Sequence, residues 1–113
     1  MNIKQLQKLC HQIAREKGFW DNNDSLEKFY IGQTFDTRNN GEMIALMHSE
    51  LSEALEELRK PNCKMKLVGE ELADCIIRIL DFCEGRGINL QTLLEKKIKK
   101  NKKRPYKHGK KQI

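Results

Sequence analysis

Two pairs of acidic residues stand inside segments of this 113-residue chain that have a helical apolar period. Glu50 and Glu53 are three residues apart, and so are Glu71 and Asp74. Residues three apart lie on one face of an α-helix, one turn from each other. Two such helices packed side by side would bring four carboxylates together, and burying them without compensating charge is too costly. A hard cation removes that cost, and a ligand set made only of oxygens suits Mg²⁺ or Mn²⁺ rather than zinc.

Apolar residues that recur every three or four positions predict four helices and no strand. The first covers about residues 2–17 and the second about 41–60; the third covers about 64–84, and the fourth begins near Asn89 as its N-cap. The third is apolar almost all round, which is typical of a central helix or of one buried in an oligomer interface. The sequence therefore predicts an all-α, four-helix-bundle-like domain, with the second and third helices as a central antiparallel pair.

We expect a single domain in three parts. Residues 1–40 form an N-terminal helix and a long connection, residues 41–101 form the helices that carry the acids, and residues 102–113 form a basic tail. Connections of this length tend to be functional or mobile. Ser25 could cap a short helical turn that reaches Tyr30.

Trp20 stands at the start of this connection. An aromatic side chain in such a place can stack on a nucleobase, or it can pack against the helices. The sequence leaves both alternatives open, and Trp20 is retained as a candidate substrate-binding residue.

The net charge of +6 is unevenly placed. Residues 95–113 hold ten Lys and Arg against one acid, whereas residues 1–94 hold twelve against fifteen. A basic tail on an acidic body indicates a polyanionic partner, such as the phosphates of a nucleotide or of a nucleic acid. A solvated basic terminus is the simpler alternative.

Other classes of protein fit less well. No segment is long and apolar enough for a transmembrane helix, and the N-terminus lacks the apolar stretch of a signal peptide. The four cysteines form no CxxC and are interpreted as reduced thiols of a cytoplasmic protein. A di-iron bundle would need Glu-x-x-His, which is absent from the sequence.

The acidic residues could also be structural, held in ion pairs or exposed on the surface. Arg78 lies four residues after Asp74 and could pair with it along one helix. Glu56 and Glu57 have basic residues nearby, and we predict that they lie mostly on the surface. Glu71 and Asp74, however, stand in the most apolar segment, where charged side chains are rarely buried unless they are paired or bind a metal. The pattern as a whole favours a metal site.

Three segments together resemble the MazG-like all-α nucleoside triphosphate pyrophosphatases: HSELSEALEELR at 48–59, GEELADCIIRILDF at 69–82 and EKKIKKNKKRPYKHGKK at 95–111. The similarity lies in an ExxE pair, 17 intervening residues, an ExxD pair and a Lys…Asn…Arg ending. EKGFWD at 16–21 is similar as well. The resemblance covers most of residues 40–111.

The resemblance implies a Mg²⁺-dependent hydrolase that cleaves a (d)NTP into a (d)NMP and pyrophosphate, in nucleotide-pool house-cleaning. It also implies a homodimer or homotetramer. The lack of an apolar segment of membrane-spanning length predicts no membrane partner. Glu53 is the candidate catalytic residue, because it could orient the attacking water. The implied metal ligands are Glu50, Glu53, Glu71 and Asp74, and the implied substrate-binding residues are Lys97, Asn101 and Arg104. Tyr106, His108 and Lys110 match the family ending less closely.

Two rival functions come from other classes. A small helical nucleic-acid-binding protein would use the basic tail and bind with a steep salt dependence without metal. Against it, no motif of a known nucleic-acid-binding fold is present, and the acidic helices would repel a phosphate backbone. A helical interaction module with merely solvated acids would show no response to Mg²⁺.

Overall fold

The computed structural model describes residues 1–21 and 38–106, which form four helices and no strand. Helix α1 is Ile3–Glu16, α2 is Asn40–Leu58, α3 is Met65–Gly85 and α4 is Leu90–Lys102. The all-α prediction is confirmed, and the predicted boundaries differ from these by one or two residues. The predicted turn at Ser25–Tyr30 lies outside the described residues, as do His108 and Lys110. Within the described residues, no helix has the length and apolarity needed to cross a membrane.

Three of the helices begin at an asparagine cap. Asn2 Oδ1 accepts the backbone N–H of Gln5 at 2.8 Å, and Gln5 Oε1 accepts the backbone N–H of Asn2 at 2.9 Å. This reciprocal pair satisfies two backbone donors that a helix start otherwise leaves without partners. Asn39 and Asn89 accept the backbone N–H three residues further on, at 3.0 and 3.2 Å. The predicted N-cap at Asn89 is confirmed.

Helix α3 has no side-chain cap of its own and uses Glu57 of α2 instead. Glu57 Oε1 accepts the backbone N–H of Lys64 at 3.3 Å, and Oε2 lies 2.8 Å from Lys60 Nζ. Glu57 is buried, so the prediction that it lies on the surface is wrong, whereas Glu56 is exposed as predicted. The hydrogen bonds from Lys60 and then Lys64 hold the pKa of Glu57 below its ordinary value. These partners offset the cost of burying its charge.

Helix α3 is central because it packs against both α2 and α1. The α2–α3 pair is antiparallel: Cys75 of α3 donates to the backbone carbonyl of Met47 in α2, while Glu57 further along α2 meets the start of α3. The predicted central antiparallel pair is therefore confirmed. The buried positions of α2 recur every three or four residues and are Met43, Met47, Glu50, Ala54 and Glu57.

One side of the α2–α3 pair carries apolar side chains that are 44% to 55% exposed, namely Leu51, Leu55 and Leu58 of α2 and Leu72 and Ile76 of α3. Each of them follows by one position a residue that lies between the helices. One residue is a rotation of about 100° around a helix axis. Because the helices are antiparallel, the same step turns both sets to the same side of the pair. We call these five residues the exposed apolar face.

Trp20 ties the end of α1 to α3. The chain leaves α1 at Gly18, whose φ of 81° lies in the left-handed region that favours glycine. Trp20 is then 1% exposed and packs against Gly85, while the guanidinium carbons of Arg38 and Arg86 lie 5.4 and 5.2 Å from its ring centroid. These distances are typical of cation–π contacts. Of the two alternatives left open by the sequence, the structure shows Trp20 packed against the helices.

Candidate metal centre and adjoining cavity

Three of the four predicted metal ligands converge between α2 and α3. One carboxylate oxygen from each of Glu50, Glu53 and Glu71 lies within 4.8 Å of the others. The three-residue spacing puts Glu50 and Glu53 on one face of α2, and the antiparallel packing brings Glu71 of α3 opposite them. Glu50 is buried, Glu71 is half-buried and Glu53 is exposed, so the group opens toward solvent on the Glu53 side.

Proton affinity is shifted at two of these carboxylates, Glu71 and Glu50. The neighbouring Glu53, then burial, then Glu50 raise the pKa of Glu71 from 4.5 to about 7. The pKa of Glu50 moves the other way, chiefly because Arg78 donates to it. Like charges held at close range favour the neutral form of one partner. Near neutral pH, Glu71 therefore retains a proton in part of the molecules, which is how the group lowers its own repulsion.

Arg78 supplies the positive charge beside this group. Its Nε donates to Glu50 Oε1 at 2.9 Å, across the interface between α3 and α2. The structural interpretation of the sequence had paired Arg78 with Asp74 along α3. Among the described ion pairs, the partner of Arg78 is Glu50 instead, because the guanidinium points toward α2 rather than along its own helix.

Asp74, the fourth predicted ligand, is exposed and lies outside the group of three. It lines a cavity of about 350 Å³ that Glu50 and Arg78 line as well. Small-molecule sites commonly have volumes of roughly 300–1,000 Å³. The apolar walls come from α1, α3 and the residue before Trp20, and they are Cys10, Ile13, Ala14, Phe19 and Ile77. The cavity joins an apolar compartment to the acidic group.

Asp81 forms a polar end of this cavity and is 6% exposed. Its Oδ1 accepts the indole N–H of Trp20 at 2.7 Å and lies 2.8 Å from His11 Nδ1. Arg38 Nη1 lies 3.6 Å from its other oxygen. Sequence reasoning missed this cluster, although the signal was present: Asp81 is a charged residue in the most apolar helix, which is the argument that selected Glu71.

The predicted substrate-binding residues lie elsewhere. Lys97, Asn101 and Arg104 follow one another along α4 and just beyond it, where every residue from 92 to 106 is exposed. Helix α4 packs near its start against α1, and Gln91 accepts the backbone N–H of Lys4 there at 2.9 Å. Among the described residues that line the cavity, none is one of these three, and Trp20 lies buried behind it rather than in its wall.

The donor set fits a divalent cation of the hard class. All three converging groups offer carboxylate oxygens, which Mg²⁺ and Mn²⁺ prefer. The three carboxylates lie close enough to repel one another when ionised, and a cation among them would offset that repulsion. Comparisons of the chain with protein-family models, with curated proteins and with solved structures found no match.

Proposed function

We propose that this chain is a Mg²⁺-dependent nucleoside triphosphate pyrophosphohydrolase that converts a (d)NTP into a (d)NMP and pyrophosphate. The observation that carries the proposal is the convergence of Glu50, Glu53 and Glu71 beside a cavity of nucleoside-compatible volume. The resemblance of the acidic and basic segments to MazG-like enzymes supplies the reaction class. We assign it to nucleotide-pool house-cleaning in the cytoplasm, in keeping with its four unpaired cysteines.

In this proposal Glu50, Glu53 and Glu71 hold Mg²⁺, or Mn²⁺ as the alternative, and Asp74 completes the set from the cavity side. These residues would hold the cation, which would supply charge neutralisation of the carboxylates and polarisation of the phosphoryl oxygens of the substrate. Glu53 is the most exposed of the converging three, so it is the group best placed to orient a water molecule for attack. Buried Glu50 fixes the position of the site within the helix pair.

The cavity would receive the nucleoside. Its walls are mostly apolar, and nucleobases favour such surroundings when a few polar groups fix their orientation. Phe19 is 63% exposed at the rim, where a ring can stack on a base. In this proposal the polar edge of that base faces the part of the wall that carries Asp81 and Arg38. Trp20 then contributes indirectly, because its indole N–H holds Asp81 in place.

We also infer that a second copy of the chain covers the exposed apolar face, giving a homodimer or homotetramer. Water-exposed apolar side chains at helical spacing on two adjacent helices favour such burial. Within a protomer, Lys97 and Asn101 lie on α4 and Arg104 lies just after it, and this helix packs against α1 rather than beside the carboxylates. In an oligomer, the basic α4 of a neighbouring copy would be the source of phosphate contacts at the acidic site.

The reaction is tested with a panel of NTPs and dNTPs in Mg²⁺, measuring monophosphate and pyrophosphate. Glu53→Gln and Asp74→Asn should abolish turnover and leave the helical circular dichroism unchanged. Glu56→Gln is the matched control, because Glu56 is an exposed carboxylate of the same helix outside the site. Turnover that survives both site substitutions would refute the assignment of the ligands. Release of orthophosphate in place of pyrophosphate would refute the reaction class.

The exposed, lysine-rich α4 favours one second candidate, a nucleic-acid-binding protein. That function would appear as binding of DNA or RNA in the absence of Mg²⁺, with an affinity that falls steeply as salt rises. Pyrophosphate release by the purified wild type, together with weak nucleic-acid binding at physiological salt, would exclude it.

A further inference from the structure

Arg78 lies between the acidic group of the proposed site and the cavity beside it. The side chain is 38% exposed, whereas its partner Glu50 is 10% exposed, so the ion pair is only partly screened by water. The same arginine lines the cavity together with Asp74. It therefore touches both the acidic group and the compartment next to it.

The Glu50 carboxylate has two competing uses. Oε1 accepts the Nε–H of Arg78, and Glu50 is also one of the three carboxylates whose oxygens lie within 4.8 Å of one another. A divalent cation held by that group would stand at short range from the guanidinium, and two positive charges at such a separation repel each other. Cation binding to the three carboxylates therefore competes with the ion pair between Arg78 and Glu50.

We propose that Arg78 is a phosphate-binding residue that Glu50 holds in the cation-free protein and that a divalent cation releases into the cavity. The proposal rests on the function proposed above. A guanidinium is planar and presents its donors in a fork that matches two phosphate oxygens. Arg78 then supplies, from within the protomer, a phosphate contact that Lys97 on the exposed α4 and Arg104 just after it cannot supply.

This arrangement implies an order of binding. Before a cation binds, Arg78 neutralises Glu50 and is not available to a triphosphate. After the cation binds, the arginine has lost its carboxylate partner and offers its donors to the substrate. Arg78 therefore makes binding of the anionic substrate depend on prior binding of the cation.

The test uses the full-length chain with Mn²⁺ alone and with magnesium tripolyphosphate as probes, both by titration calorimetry. Arg78→Gln should bind Mn²⁺ about tenfold more tightly, because the competing charged hydrogen bond is gone, and should bind magnesium tripolyphosphate about tenfold more weakly. Arg59→Gln is the matched control, since Arg59 pairs with Glu56 at 3.2 Å on the surface of α2. It should change neither affinity.

Arg78→Lys keeps the charge and removes the fork, so it should bind Mn²⁺ like the wild type and tripolyphosphate more weakly. An unchanged or weaker Mn²⁺ affinity in Arg78→Gln would overturn the proposal. Should Arg78→Gln fail to fold by circular dichroism, Arg78→Lys decides, and wild-type affinity for tripolyphosphate in that variant overturns it. If Arg78→Gln binds Mn²⁺ more tightly and tripolyphosphate more weakly, but the wild type releases no pyrophosphate, the proposed reaction is rejected and the role of Arg78 stands.

Discussion

The six-membered ring of Trp20 lies so close to the α-carbon of Gly85 that a methyl group at position 85 would overlap it. This approach of an indole to a helix backbone is possible only because position 85 carries no side chain. It anchors the segment after α1 to the last turn of α3, next to the buried carboxylate of Asp81.

Gly85→Ala should destabilise the protein by about 1–3 kcal/mol, because the ring must move out of a packed position. Gly69→Ala in the same helix is the control, since a Cβ there meets no atom within 4 Å. That change should stabilise the protein by up to about 1 kcal/mol, as alanine favours helix more than glycine does. Urea unfolding followed by circular dichroism measures both, and shifts of the same sign would contradict the contact.

Trp20→Phe should cost about 1–3 kcal/mol of unfolding free energy, because it leaves the buried Asp81 oxygen without its indole donor. Phe19→Leu provides the comparison at the neighbouring, largely exposed ring, where we expect a change within about 0.5 kcal/mol. Thermal and urea unfolding of the two variants give the difference. Equal stabilities would show that the indole N–H contributes nothing.

The pKa of Glu71 gives the cation-free protein a defined pH dependence. Because the folded pKa of about 7 exceeds the ordinary 4.5, the native state holds the proton more tightly, and its stability falls as pH rises from about 4.5 to 7. Glu50, whose folded pKa is lowered, acts with the opposite sign but only at more acidic pH. Melting temperatures without metal should therefore fall from pH 5 to pH 8, and Mg²⁺ should restore stability at pH 8.

Substitution isolates the contribution of this one carboxyl. Glu71→Gln should flatten the pH dependence between pH 5 and pH 8, whereas Glu70→Gln, at the adjacent exposed carboxyl, should keep it. If the melting temperatures of both variants changed with pH as steeply as that of the wild type, the shifted pKa would have to belong to another group.

The exposed apolar face predicts the assembly state. Leu55→Asp and Ile76→Asp should each convert the oligomer to a monomer, because a charged side chain would be buried without a partner in the interface. Leu9→Asp, at an exposed leucine of α1, should leave the mass unchanged. Sedimentation velocity measures the mass of the three variants and of the wild type. A wild type that sediments as a monomer would refute the oligomer.

The helices and the shared face of Glu50 and Glu53 were predictable because they depend on local physics. The apolar period places the four helices, asparagine caps mark the starts of α1, α2 and α4, and the three-residue spacing puts Glu50 and Glu53 on one face of α2. That Glu71 meets these two residues, while Asp74 lies outside the group, depends on how α2 and α3 are aligned. The partner of Arg78 was not predictable in this way. The rule for neighbours along one helix points to Asp74, but the real partner Glu50 depends on how α2 and α3 are aligned.

The same limit explains the other differences. Glu57 looks like a surface residue until the turn between α2 and α3 brings the backbone of Lys64 to it. The cluster around Asp81 forms only because α1 lies beside α3 and presents His11, and nothing in the local sequence shows that neighbour. The sequence-based placement of phosphate contacts on α4 remains a prediction, since it depends on a second copy of the chain.

Arg38 lies over Trp20, so a single indole ring joins the two described parts of the chain, residues 1–21 and 38–106. The same ring packs against Gly85 at the end of α3. A single backbone cleavage between positions 21 and 38 should therefore leave two fragments that stay associated through this contact.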